Sequence, residues 1–434
     1  MPFHRPQSDL DAAVSPAPAK AHRRRARSLW AARILPFLVI LGPGFITANV
    51  DNDPGGILTY SQAGAKFGYL LLWTLIPTLV ALLVIQEMAA RMGAVTGKGL
   101  SDLIREEFGF RITFFAMIVL SIADFFNIVS EFGGLALGMG LFGVIKWIAV
   151  PVGALLIWLL VVRGRYRKVE MILIGLSLIY FTYAFSAVMA HPQWGHALRE
   201  MILPSGVQFH GEYVVVVIGL IGTTITPWMQ FYLQASVVEK GIGKKEYPMC
   251  RLDVISGCLI TEVVSFFIIV ACAATLYVHG HHDMDNVAQV AQALAPLAGR
   301  YAAILFAIGL VNAALLSAAI LPLATAYNVC EGLGFERGVD KRFSEAPAFY
   351  GLYTFLIVAG AGLVLIPGLP LVQVILYSQV ANGILLPVVL VLMLLLINRE
   401  DVMGEYRNGW WANAIAWSTS VVIVALTVMW VWTL

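Results

Sequence analysis

The sequence predicts an all-α polytopic membrane protein with about eleven transmembrane helices. Hydrophobic residues make up 59% of its 434 residues and charged residues only 12%, whereas a soluble domain is about one quarter charged. Apolar runs close to the 20 residues needed to cross a bilayer recur along the chain. The protein is therefore too apolar to be a string of soluble domains, and the bilayer is its expected solvent.

The predicted spans follow one another with short connections. They cover residues 34–64, 69–91, 112–142, 144–162, 169–190, 213–238, 252–278, 300–330, 349–367, 371–397 and 410–432. The first and sixth are interrupted by proline, and the third and eighth are long enough to tilt or to extend beyond the bilayer. Four cysteines fall in or beside these spans without metal-ligand spacing, which predicts buried free thiols.

The two interrupted spans indicate an internal duplication. Residues 34–190 and 213–397 would each form a five-helix unit that begins with a broken helix, and inverted repeats of this kind recur in transporters. Residues 1–33 are predicted to form a basic cytoplasmic tail, and residues 410–434 an eleventh helix outside the repeat. Most of the 28 Lys and Arg residues lie on one side of the predicted membrane, which predicts a cytoplasmic N-terminus and an extracellular C-terminus.

The first break is the sequence Asp53-Pro54-Gly55-Gly56. Proline removes a backbone donor and pushes the preceding residue out of helical conformation. A carboxylate and irregular backbone at membrane depth are tolerated only where they line a cavity. Freed carbonyls and the Asp53 carboxylate together are hard oxygen ligands, which suit a small cation such as Mg²⁺. The first break therefore predicts an ion site.

The second break is the sequence Thr226-Pro227-Trp228 in the sixth span. Thr226 precedes the proline as Asp53 does in the first break, and its hydroxyl is a candidate metal ligand. Thr223, one helical turn earlier, is a weaker candidate. Trp228 is predicted to shape the wall of the cavity or simply to pack beside the break.

Other polar residues interrupt the spans. Asp124, Asn127 and Glu131 share one face of the third span, where they could line an ion route or pack as a satisfied polar seam. Gln379 in the tenth span offers a neutral oxygen that could reach a central site. Asp51 could widen an external cation funnel or be a polar helix-end residue.

Five short runs are spread along the predicted spans: Gly42-Pro43-Gly44-Phe45, Asp53-Pro54-Gly55, the stretch QEMAARMGAVTG at 86–97, Glu131-Phe132 and Ser378-Gln379-Val380. No single run is specific, but their order and spacing along eleven spans are. With these runs, the sequence from about residue 36 resembles the Nramp family of divalent metal transporters. The resemblance implies the leucine-transporter-like 5+5 inverted repeat fold and uptake of divalent metal into the cytoplasm.

The sequence departs from the proton-coupled members of that family at both breaks. Those members read D-P-G-N at the first break and M-P-H at the second. The resemblance therefore implies that Asp53 is a metal-site carboxylate. At the other three positions, Gly56 replaces the Asn, Thr226 the Met and Trp228 the His. Loss of the soft thioether removes discrimination against hard ions, and Gly56 leaves room for an ion that keeps part of its water shell, as Mg²⁺ does. Trp228 cannot carry a proton, and Ile128 stands where coupled members have Asp.

These departures resemble the Nramp-related magnesium transporters. We therefore expect Mg²⁺ uptake, and also Mn²⁺ uptake, by alternating access without proton coupling, across the plasma (inner) membrane. The predicted metal site comprises Asp53, Gly56, Thr226, Gln379 and Thr223, shaped by Pro54, Gly55, Pro227 and Trp228; the possible ion pathway comprises Asp51, Asp124, Asn127 and Glu131. The expected partners are the metal substrate and the lipid bilayer, with no other cofactor, no nucleic acid and no obligate protein partner.

Several alternatives stay open at this point. A proton-coupled manganese transporter would need another proton acceptor, such as Glu131 or Asp124. An aluminium-transporting relative would keep more of the family pattern at the breaks, and a sodium-coupled amino-acid symporter is disfavoured by the acidic Asp53. A non-transporting metal receptor could share all these residues. The sequence contains no nucleotide loop, catalytic triad or zinc motif, so an enzyme is not expected.

Overall fold

A computed structural model describes residues 52–163, 175, 177–208, 211–282, 287–338 and 341–433, and within these ranges it is helical and without strands. Shorter helical segments connect the main helices. The main helices are α1 Pro54–Phe67, α2 Leu75–Thr96, α3 Leu100–Leu141, α4 Lys146–Val162, α5 Phe181–Met189, α6 Trp194–Ile202, α7 Gly211–Thr224, α8 Pro227–Glu239, α9 Tyr247–Cys272, α10 Ala302–Leu333, α11 Pro347–Leu365, α12 Leu371–Ile397 and α13 Trp410–Thr433.

The helices agree with the predicted spans wherever the chain is described. Among these residues, eight helical segments are long and apolar enough to cross a membrane, and one of them runs across the second break from Gly211 to Glu239. The pieces that match the first, fourth and fifth predicted spans are shorter: α1, α4 and α5. The tail 1–33, Asp51 and the start of the first span lie outside the described residues, as does the start of the fifth span.

The unusual length of the third span has a local cause. Helix α3 is 42 residues long, but Gly109 within it has φ 76° and ψ 173°, so two helices meet there at a kink. Positive φ costs a glycine little because it has no Cβ. The stretch after Gly109 matches the predicted third span, 112–142, and it carries Asp124, Asn127 and Glu131, all of which are buried.

Two helices cross closely enough to bring α12 against the second break. A Cβ on Gly222 of α7 would lie 2.1 Å from the backbone carbonyl oxygen of Gln379, and a Cβ on Gly383 of α12 would lie 2.6 Å from the carbonyl oxygen of Ile218. Close backbone approach through small residues is a common way for membrane helices to pack. The Gly222–Gly383 crossing therefore places Gln379 beside the end of α7.

Two smaller features lie in the same helices. Glu87 and Arg91, four residues apart on α2, form an ion pair with 3.2 Å between Oε2 and Nη2, a spacing that brings side chains together on one helix face. All four cysteines are buried and none of them forms a disulfide bond, as the sequence predicts.

Candidate metal site

The first break has the geometry that a proline at the start of a helix dictates. Asp53 has φ −71° and ψ 175°, and Pro54 occupies the first turn of α1. The Gly56 backbone N–H donates to Asp53 Oδ1 at 2.6 Å, so the carboxylate caps α1 as an N-cap residue does. Asp53 is only 6% exposed. One oxygen of this buried carboxylate is therefore engaged by the helix itself.

Helix α3 packs directly on the first break. A Cβ on Gly134 would lie 2.3 Å from Pro54 Cγ, so only a residue without a side chain fits there. Glu131 lies one turn earlier, and its carboxyl group is close enough to that of Asp53 for the two to interact electrostatically. Neither Glu131 oxygen has a hydrogen-bond partner among the described residues. The first break thus holds two adjacent buried carboxyl groups.

The second break has unpaired oxygens instead of a cap. Thr226 is extended, with φ −76° and ψ 144°, and its side chain makes no capping bond. The hydroxyl groups of Thr226 and Thr223 are both buried without a partner in the described part of the chain. Pro227 has no N–H, so the carbonyl of Thr223, four residues earlier, has no intrahelical donor. These oxygens are available to a ligand.

Two neighbours close the second break. Trp228 is buried and its ring centroid lies 5.7 Å from that of Tyr232, which fits either predicted role, cavity wall or packing aromatic. Gln230, with its amide oriented to satisfy both ends, donates to the carbonyl oxygens of Thr226 and Pro227, each at 2.7 Å. The break carbonyls that remain open to a cation are therefore those before Thr226.

Gln379 lies against the first break. A Cβ on Gly55 would be 1.9 Å from Gln379 Nε2 and 3.0 Å from Asp53 Oδ1. Gly55 is therefore the point at which the amide of Gln379 and the carboxylate of Asp53 meet. The Gln379 Oε1 atom faces away from this point and accepts from Asn382 Nδ2 at 3.0 Å.

The three polar residues predicted on one face of α3 have different surroundings. Asn127 both donates to and accepts from Asn382 of α12, as in a satisfied polar seam. Asp124 Oδ2 accepts from Thr325 Oγ1 of α10 at 2.7 Å, while its Oδ1 has no partner among the described residues. Only Glu131 reaches the first break, so the face is partly seam and partly open to a ligand.

Sequence reasoning missed the residues that hold the site from a distance. Gln230 and Gly134 each contact a break, and Asn382 bonds to Gln379. Asn52 Nδ2 donates to Thr261 Oγ1 of α9 at 2.9 Å, which anchors the residue before Asp53. The only signal in the sequence was a polar or small residue inside an apolar helix. Such a residue cannot face lipid cheaply.

The donor set determines what the site can do chemically. No group of three or more His, Cys, Asp or Glu side chains with metal-binding geometry occurs in the described ranges. The carboxylate oxygens of Asp53, the hydroxyls of Thr223 and Thr226 and the freed carbonyl are all hard ligands, of the kind that a hard cation binds together with water.

Comparisons with known proteins agree with this architecture. The family model described as "Natural resistance-associated macrophage protein-like" (Nramp) matches residues 44–433. A "Divalent metal cation transporter MntH" of Deinococcus radiodurans is 28% identical over 415 residues, which is 93% of this chain and 91% of that protein. The MntH of Bacillus subtilis is 27% identical over 407 residues, with 91% of each chain covered.

Solved structures share the fold. The manganese transporter of Eremococcus coleocola, in complex with an aromatic bis-isothiourea compound, superposes with a TM-score of 0.72 at 20% identity, covering 96% of this chain and 89% of that one. MhsT in complex with L-phenylalanine, at 15% identity, gives 0.57 and covers 90% and 98%. The fold is thus the leucine-transporter-like arrangement, as predicted, and the sixth span is broken at Thr226. With its family match over nearly the whole length, the chain belongs to the Nramp family, whose members are transporters and not enzymes.

Proposed function

We propose that this protein carries divalent cations, Mg²⁺ and also Mn²⁺, into the cytoplasm by alternating access to a site that lies between the two breaks. The names of its relatives, divalent metal cation transporters, support the class of substrate. The proposed location is the plasma (inner) membrane, with the N-terminus cytoplasmic and the C-terminus extracellular. The two five-helix units, 34–190 and 213–397, are proposed to move against each other around the site.

The observation that carries the choice of Mg²⁺ is the unpaired Thr226 hydroxyl at the second break. A buried hydroxyl without a partner costs about 1–3 kcal/mol, and a cation held between Thr226 and Asp53 would supply that partner. Hydroxyl and carboxylate oxygens are hard ligands, which suit Mg²⁺ and do not reject it as a thioether would. Thr223, Gln379 and the space beside Gly56 complete the proposed site, directly or through water.

Transport without protons is the second part of the proposal. Trp228 is buried against Tyr232 and cannot titrate, and buried Ile128 cannot either. A divalent ion gains about 4.6 kcal/mol on crossing 100 mV, since each charge is worth about 2.3 kcal/mol. At about 1.4 kcal/mol per factor of ten, this potential alone concentrates the ion roughly a thousandfold.

A second candidate, proton-coupled Mn²⁺ transport, has one observation in its favour. Met229 directly follows Trp228 and is 1% exposed, so a soft thioether is buried at the start of the helix that follows the second break. Glu131, whose carboxyl group faces Asp53, would then carry the proton. In that case Met229→Leu would lower Mn²⁺ uptake and leave Mg²⁺ uptake unchanged.

The test is ion influx into proteoliposomes held at an inside-negative potential, with an internal pH dye and parallel Mg²⁺, Mn²⁺ and Ca²⁺ traces. Mg²⁺ entry without acidification is the expected result. Mn²⁺ entry alone, with acidification, would establish the coupled mechanism instead. Binding of metal with no flux of any ion would identify a receptor.

Neutralising the proposed ligand should abolish flux. Asp53→Ala is expected to reduce Mg²⁺ influx to the level of empty liposomes. The matched control is Glu262→Gln, which neutralises a buried carboxyl group that pairs with Thr78 at 3.1 Å and does not belong to either break. Flux at the wild-type level in Asp53→Ala would remove the proposed site.

A further inference from the structure

Three side-chain amides form a continuous chain that leads away from the first break. Asn127 of α3 and Asn382 of α12 bond reciprocally: Asn127 Nδ2 donates to Asn382 Oδ1 at 3.0 Å, and Asn382 Nδ2 donates to Asn127 Oδ1 at 2.8 Å. The second hydrogen of Asn382 Nδ2 goes to Gln379 Oε1 at 3.0 Å. All three residues are buried. The amide of Asn382 is therefore fully used.

The inner end of this amide chain is the proposed ligand Gln379. Its Nε2 donates to Ser378 Oγ at 3.1 Å and packs against Gly55, which the Asp53 carboxylate also approaches. An amide nitrogen carries two hydrogens and no acceptor lone pair, whereas the carbonyl oxygen has two. In this arrangement Gln379 thus presents its Nε2 donor to the first break. A cation bound there would need Gln379 Oε1 instead, because only the oxygen can act as a ligand.

The amide chain has a second arrangement with the same bonds. Rotating all three amides by half a turn exchanges each oxygen with its nitrogen. The reciprocal Asn127–Asn382 pair is unchanged by this exchange, and the third bond reverses, so that Gln379 Nε2 donates to Asn382 Oδ1. Three amide–amide bonds exist in both arrangements, but in the second one Gln379 Oε1 faces Gly55 and Asp53.

We propose that Asn382, held by Asn127, is a positioning residue for the metal: it determines which end of the Gln379 amide faces the site, and the bound cation selects the arrangement that presents the oxygen. This rests on the proposed function, in which Gln379 is a ligand. A rotation of Gln379 alone would place two oxygens or two nitrogens against each other, so the three amides turn together. Residues that orient a metal ligand in this way typically change metal affinity 10- to 100-fold when they are substituted.

The first experiment measures Mg²⁺ and Mn²⁺ affinity of the purified full-length protein by calorimetry. Asn382→Leu is expected to weaken binding of both ions at least tenfold. The Gln379 amide would then lose the bond from Asn382 and keep only its bond to Ser378. Since Asn382→Leu also strands the amide of Asn127, the double variant Asn127→Leu/Asn382→Leu replaces the pair with apolar side chains and keeps the fold testable. It is expected to show the same loss.

A double-mutant cycle separates positioning from simple damage to helix packing. If Asn382 acts through Gln379, then Asn382→Leu has no further effect on affinity in a Gln379→Leu background. Additive losses in the cycle would overturn the positioning role and leave Gln379 as a ligand. Wild-type affinity in Gln379→Leu alone would overturn both the positioning role and the ligand role, while Mg²⁺ flux in the wild type would still support the proposed transport.

Discussion

A single methyl group at Gly55 should damage the metal site in a calculable way. In Gly55→Ala the new Cβ would lie 1.9 Å from Gln379 Nε2, and ordinary contact begins at 3.4 Å. The amide must therefore move by at least 1.5 Å, the difference between these two distances. That shift breaks the Nε2 bond to Ser378 and stretches the Oε1 bond to Asn382, each worth about 1 kcal/mol.

The expected consequence is a large loss of metal binding with the fold retained. A displacement of about 1 Å in a positioned group can cost about 100-fold in function, so we expect the Mg²⁺ KM for flux to rise between 10- and 100-fold. The assay is Mg²⁺ influx in proteoliposomes over a range of external concentrations. Gly362→Ala is the matched control, because nothing lies within 4 Å of a Cβ on that residue of α11.

A second variant makes the reasoning refutable. Gln379→Ala leaves room for the methyl group, so Gly55→Ala should add no further loss in a Gln379→Ala background. If Gly55→Ala alone keeps the wild-type KM, the amide of Gln379 does not contribute to binding. If the loss persists in full beside Gln379→Ala, the methyl group acts on the backbone of the break and not through Gln379.

Three further predictions follow from the breaks and the helix crossing. Thr226→Val removes a buried hydroxyl without a partner among the described residues. In thermal unfolding it should therefore stabilise the metal-free protein by about 1 kcal/mol, and it should weaken Mg²⁺ binding. Unchanged binding would exclude the hydroxyl as a ligand. Gly56→Asn with Thr226→Met should shift preference toward Mn²⁺ or Cd²⁺ in competition flux assays, and unchanged selectivity would mean that other residues set it. Gly222→Ala places a Cβ 2.1 Å from the backbone carbonyl oxygen of Gln379, so it should separate α7 from α12 and lower the yield of monodisperse protein. A normal elution profile in size-exclusion chromatography would show that the crossing can widen.

The breaks were predictable because their cause is local. Proline fixes its own φ and restricts the residue before it wherever it occurs, and Asp53 and Thr226 indeed have extended backbone. The length of each apolar run indicated the spans in the same way. The kink at Gly109 within α3 was not expected, since an isolated glycine is compatible with a continuous helix.

The supports of the site were not predictable because they depend on distant pairs. Asn127 and Asn382 are 255 residues apart in sequence, and nothing near either one identifies the other. The approach of Gln379 to Gly55 and the packing of Gly134 on Pro54 depend on how α3, α12 and α1 cross. Polar residues within apolar helices indicated that a partner exists, but only the fold identifies it.

The cap that Asp53 makes on its own helix has a consequence for how tightly an ion can be held. Its carboxylate accepts from Gly56 N–H at 2.6 Å, and the start of a helix carries a partial positive charge. Any cation approaching Asp53 therefore meets a charge that is already partly balanced. A carrier must release its ion on the far side of the membrane as readily as it captures it, and a half-neutralised anion favours quick release over tight retention, which suits an ion that is abundant outside the cell.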